Sequence, residues 1–161
     1  MGCIAMSKII PYIEKYSCIL LAFVVTYVMI KTSPFPLTKD TTQFFIDLFT
    51  TYATISSLLA GLLTTATSNF FSHTKLICLL KKHHLFQQVL IYSQRATISN
   101  CVALCFSFIL IFAIKFYQAS TTTRLIYYSW GFVAGYSFSA FVRASYIFTR
   151  SSKIALELEE K

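Results

Sequence analysis

Charged residues punctuate the chain and leave four long uncharged runs between them. Lys15 and Lys31 bracket the first, 16–30; the second extends over 48–72; Arg95 and Lys115 bracket the third, 96–114; Arg124 and Arg143 bracket the fourth, 125–142. A helix needs about 20 residues, at 1.5 Å rise each, to cross roughly 30 Å of hydrocarbon. The second, third and fourth runs meet that length. The first is short, but Ile9, Ile10 and Ile13 extend it on one side and Lys31 can snorkel to the interface on the other. Spanning β-strands would be shorter, about 9–11 residues, and would alternate in polarity. These runs do neither. The pattern predicts an all-α integral membrane protein with four transmembrane helices over about 12–31, 46–70, 96–115 and 125–145. Residues 1–161 then form a single transmembrane domain with a loop at 73–95 and a helical tail at 146–161.

Composition strengthens this reading. Of 161 residues, 56% are hydrophobic and 12% charged, and the mean hydropathy is +0.64. A soluble domain carries about 25% charged residues. One of this length could not hide so much apolar side chain in a single core, which disfavours an ordinary soluble enzyme.

Lysine and arginine placement sets the direction. Lys8, Lys15, Lys75, Lys81, Lys82, Arg95, Arg143, Arg150, Lys153 and Lys161 fall on one side, against Lys31, Lys39, Lys115 and Arg124 on the other. Positive residues stay inside, so both termini, the 73–95 loop and the tail are expected to be cytoplasmic. The net charge of +8 follows from this bias. It requires no nucleic acid, and it favours anionic lipid. The first apolar run is followed by Lys-Thr-Ser-Pro rather than a small-residue cleavage site, so it reads as a span and not a cleavable signal. Of the cysteines, Cys3, Cys18, Cys78, Cys101 and Cys105, none falls in an expected outer loop, and no disulfide is expected. Cys101 and Cys105 share a helix face and read as small packing residues. Tyr117, Tyr127, Tyr128 and Trp130 gather at the outer surface, where amphipathic rings suit the headgroup level. Asp47 falls at the same depth as Lys115 and Arg124, either of which is a candidate ion-pair partner.

Small residues recur at helical spacing. Thr50, Thr54, Ser57, Gly61, Thr64 and Ser68 line one side of the second span, widened by Ala53 and Ala60. Gly131, Gly135 and Ser139 stand four apart in the fourth, with Arg143 next in the row, and Ser99, Ala103 and Ser107 do likewise in the third. Helices in lipid associate by close backbone approach, so such rows mark packing or oligomer faces. Three of them in one small bundle suggest a homo-oligomer, a tetramer among the candidate sizes. The hydroxyls of the second span can alternatively line a pore.

Little else in the chain carries chemistry. There is no P-loop, Gly-x-Ser-x-Gly or His-Glu-x-x-His pattern, and the six acidic residues form no catalytic pair. No enzyme activity, cofactor or metal is expected. His83 and His84 are adjacent and point to different faces, with no third ligand in view. Glu14 is the one carboxylate close to the first span. It sits at the inner interface, facing Arg95 or Arg143, and serves poorly as the embedded acid of a small proton-coupled exporter. The cytoplasmic side offers candidate docking residues instead: Lys75, Lys81, Lys82, His83 and Phe86 in the loop, and Arg150, Lys153 and Leu158 in the tail. Leu85, Phe86, Val89 and Leu90 form one apolar stripe, either a helical lead-in to the third span or a surface helix that binds membrane or partner.

The stretch Ile55-Ser-Ser-Leu-Leu-Ala-Gly-Leu-Leu-Thr-Thr-Ala-Thr67 is followed by the basic Lys75-Leu-Ile-Cys-Leu-Leu-Lys-Lys82, by Phe86-Gln-Gln-Val-Leu-Ile-Tyr92 and by a third apolar span. This layout, over roughly 10–150, resembles small four-helix bacterial membrane proteins of anti-phage defence loci, in particular the KwaA family of the Kiwa system. The resemblance implies a non-enzymatic inner-membrane oligomer that senses infection or membrane perturbation. It implies a cytoplasmic DNA-binding partner resembling KwaB, with the chain itself not contacting nucleic acid. A pore-forming effector that depolarises the host is the competing expectation.

Overall fold

The computed structural model describes residues 2–32, 39–72, 77–78, 86–117 and 121–159, with side chains over 16–32, 42–72, 77–78, 86–116 and 121–153. It is all-helical. Four long helices account for all of the described chain but 77–78: α1 (Gly2–Thr32), α2 (Lys39–Ser72), α3 (Phe86–Tyr117) and α4 (Thr121–Glu159). α2 packs along α3, α3 along α4, and α1 along α4. The order across the bundle is therefore α2, α3, α4, α1.

The distribution of side chains is inverted relative to a water-soluble bundle. Ser56, Ser93, Ser99, Asn100, Ser107 and Ser137 are buried, while Leu20, Phe23, Leu58, Phe112 and Leu125 are each more than 60% exposed. Scattered apolar residues on a surface are ordinary, but a contiguous apolar exterior marks an apolar surrounding or a partner. Two helical stretches, Thr42–Ser72 and Phe86–Phe116, are long and apolar enough to cross a membrane; Tyr16–Thr32 is a shorter apolar helix. The run 125–142 is uncharged, but its tyrosines, serines and glycines dilute its hydropathy.

Two aromatic and aliphatic clusters hold the bundle. One joins Phe49 of α2, Leu110 and Ile114 of α3, and Tyr127, Trp130 and Ala134 of α4. Trp130 stands edge-on to Phe49 at 4.8 Å and to Tyr52 at 5.1 Å between centroids, the offset geometry aromatic pairs prefer. The other joins Leu63, Ala96, Ala140 and Ala144.

Several expectations need correction. α1 begins at Gly2 and continues through Pro11. α3 starts at Phe86, so the apolar stripe before Arg95 is a helical lead-in to the third run rather than a separate surface helix. Val89, Ser93, Ala96 and Asn100 form one buried row at helical spacing, so the segment before Arg95 packs as the first turns of α3. Tyr127 and Trp130 are core residues rather than members of a lipid-facing belt. Cys101 and Cys105 are exposed on α3 rather than buried against the other described helices. Asp47 accepts a hydrogen bond from Gln43 Nε2 at 2.9 Å on its own helix.

Candidate functional site

The small-residue rows of the three helices meet different fates. On α4, Gly131 and Gly135 are buried beneath α1. A Cβ on Gly131 would overlap Met29 Sδ, and one on Gly135 would stand 3.1 Å from the Ala22 backbone and 3.3 Å from Val25. Glycine permits this approach because it presents no side chain. Ser139, half-buried on the same row, lines a groove with Ser17 and Leu21 of α1. On α3, Ser99, Ala103 and Ser107 are buried. Ser107 Oγ accepts from Trp130 Nε1 at 2.8 Å and donates to the Ala103 carbonyl at 2.9 Å. Both rows are consumed by the chain's own packing.

The α2 row is not. Thr50, Thr54, Ser57, Gly61, Thr64 and Ser68 are all exposed, and nothing lies within 4 Å of a Cβ built on Gly61. Three of its hydroxyls turn inward along the helix: Thr50 donates to the Ile46 carbonyl at 2.8 Å, Thr54 to Thr50 at 3.0 Å, and Thr64 to Ala60 at 2.8 Å. Such back-bonding satisfies a hydroxyl in an apolar setting. The result is a smooth, small-residue face with no partner among the described residues.

The opposite side of α2 carries the bonds that tie it in. Tyr52 Oη donates to the Ala134 carbonyl at 3.1 Å and lies 2.7 Å from Ser137 Oγ. Thr67 and Ser93 share a hydroxyl–hydroxyl bond between α2 and α3. The sequence pattern marks none of these pairs, since one tyrosine among ten carries no local signal.

A second constellation gathers near one end of the bundle. The Arg143 guanidinium lies 4.1 Å from the centroid of the Tyr92 ring, and its Nη2 donates to Tyr92 Oη at 2.7 Å. Cys18, Tyr92, Arg95, Tyr136, Ala140 and Arg143 enclose a cavity of about 30 Å³ between α1, α3 and α4. That volume admits one or two waters. Glu14, expected opposite Arg95 or Arg143, lies outside the described side chains.

The candidate docking residues are only partly placed. Lys75, Lys81, Lys82 and His83 lie outside the described residues, as does the side chain of Leu158. Arg150 and Lys153 are exposed on α4. Phe86 is half-buried, its ring 5.2 Å from that of Phe71, and Phe70 stands edge-on to Phe148 at 5.3 Å. Among the described residues, no group of three or more histidine, cysteine or acidic side chains stands together to hold a metal ion. No protein-family model, curated protein or solved structure matches the chain.

Proposed function

We propose that the chain is a four-span, non-enzymatic subunit of a bacterial inner-membrane complex, with both termini cytoplasmic, that self-associates through the outward face of α2. The observation that carries this reading is the open row at Thr54, Ser57 and Gly61 beside two equivalent rows already covered. In lipid there is no hydrophobic drive between helices, so a preserved small-residue face has value where another helix approaches closely. The back-bonded threonines favour a packing face over a pore lining. The resemblance to Kiwa membrane subunits supplies the wider setting: a sensor of infection or membrane perturbation that hands its signal to a cytoplasmic DNA-binding effector. The basic 73–95 region and the tail at Arg150 and Lys153 are its natural docking surfaces.

Native mass spectrometry of the full chain in mild detergent tests the contact. A homo-oligomer is expected for the wild type, and Gly61→Leu should return it to monomer without unfolding, since the position is open. A monomeric wild type overturns the reading. Affinity purification from the source cell extends the test. Charge reversal at Lys81 and Lys82 should lose a stoichiometric soluble partner while expression is unchanged. An oligomer that conducts ions in liposomes, with conduction blocked at Ser57, would transfer the assignment to a pore.

A further inference from the structure

A groove of about 330 Å³ runs between α3 and α4, lined by Ile98, Val102, Phe132, Val133 and Tyr136, with Arg95 among its walls. Arg95 also lines the small polar cavity that holds Arg143 and Tyr92, so it stands where the apolar groove meets that polar pocket. Arg95 is exposed, and it has no hydrogen-bond or ion-pair partner among the described residues. From Arg95 to Val102 the row climbs about 10 Å along α3. A cation at the end of an apolar groove, beside a second guanidinium, lacks two complements: an anion at its head and an apolar chain along its wall. One molecule supplies both.

We propose that Arg95 binds the phosphate of an anionic phospholipid of the cytoplasmic leaflet, with one acyl chain lying along Ile98, Val102, Phe132 and Val133. The proposal rests on the membrane orientation given above. Guanidinium suits this role because it is always charged and presents paired N–H donors to phosphate oxygens. Basic pockets between spanning helices on the cytoplasmic side are the usual place for such headgroups. The polar cavity holds water at most, so the phosphate sits at its mouth.

The test is native mass spectrometry of the full chain titrated with dioleoyl phosphatidylglycerol, dioleoyl phosphatidylcholine and glycerol 1-phosphate. Phosphatidylglycerol should bind about tenfold more tightly than phosphatidylcholine, the value of one charge-assisted contact. Arg95→Gln should erase that difference, Arg95→Lys should keep part of it, and Ile98→Trp should weaken both lipids. Wild-type preference for phosphatidylglycerol in Arg95→Gln, or no preference in the wild type, overturns the proposal. Equal binding by glycerol 1-phosphate also overturns it, because the ligand would then be a free phosphate ester. Arg95 is exposed, so an unchanged melting curve in detergent is expected for Arg95→Gln. Alkaline carbonate extraction separates the two readings. A chain released from membranes defeats the spanning reading; a chain retained, with Arg95 indifferent to lipid, defeats the lipid site alone.

Discussion

α4 and α2 carry the same sequence device and use it differently. Gly135 sits under α1 with the Ala22 backbone 3.1 Å from where a Cβ would be, whereas Gly61 faces outward with nothing within 4 Å. Both belong to rows of small residues at helical spacing, and both read alike from the sequence. The spacing states that a helix can approach closely. It does not state whether that helix belongs to the same chain. Only the covering of one row by α1 identifies the other as available for a contact between copies.

The sharpest way to break this comparison is to fill the covered glycine. Gly135→Leu places a branched side chain against backbone, which cannot move aside as a flexible side chain would. Overpacking of this kind costs about 3 kcal/mol, enough to lift α1 from α4. Cys18 of α1 is 5% exposed and reports the event. Its thiol should become reactive to a maleimide in Gly135→Leu and stay protected in Gly61→Leu. Equal protection in both variants would show that the two rows are not different in kind.

Tyr52→Phe probes the inner side of α2 and ranks next. It removes the bonds to the Ala134 carbonyl and Ser137 without changing the ring. Side-chain bonds inside membrane bundles are worth about 0.6 kcal/mol on average and up to about 1.7. A loss of about 1 kcal/mol is expected in a denaturation series in detergent, with oligomer size unchanged because the outward row is untouched. A change in oligomer size at constant stability would place the subunit contact on the wrong side of α2.

Gly131→Ala follows. The obstacle there is the thioether end of Met29, which has rotamers to spare. A cost of about 0.5–1 kcal/mol is expected, and Met29→Ala in the same chain should remove most of it. If the double variant is as unstable as Gly131→Ala alone, the clash lies in the backbone and the α1–α4 contact is tighter than the glycine row alone explains.

How much of this was legible in the sequence follows from what each feature depends on. The four helices were readable because apolar runs between charges are a local property, and Val89 was readable as part of a helical stripe leading into the third span. Helix ends were less so. Packing of Ser93 and Asn100 carries α3 back to Phe86, and α1 continues through Pro11, where a local rule would start a helix. Tyr127 and Trp130 looked like headgroup rings because ring type signals depth. Whether they point outward or inward depends on Phe49 and Tyr52, more than seventy residues away. The same distance hid the Tyr52–Ser137 bond and the convergence of Arg95, Arg143 and Tyr92. The rows of small residues are visible as faces in the sequence, but which of them another helix covers follows from the helix order α2, α3, α4, α1, which no local pattern encodes.

The smallest effect is also the most discriminating. Gly61→Ala adds one methyl group into open space, so nothing among the described residues opposes it. Replacing glycine by alanine inside a helix favours the helix by up to about 1 kcal/mol in water, and less where lipid already enforces helicity. The monomer should therefore be as stable as the wild type or slightly more so. A close helix–helix contact between copies would respond in the opposite direction, because a methyl group at the point of nearest approach pushes the axes apart. The expected result is an unchanged or slightly raised melting temperature under monomerising detergent, together with a weakened dimer in a dilution series at low detergent. A weakened dimer places Gly61 at the crossing point. If dimer strength is unchanged, the contact lies elsewhere on the molecule and the open row of α2 faces only lipid.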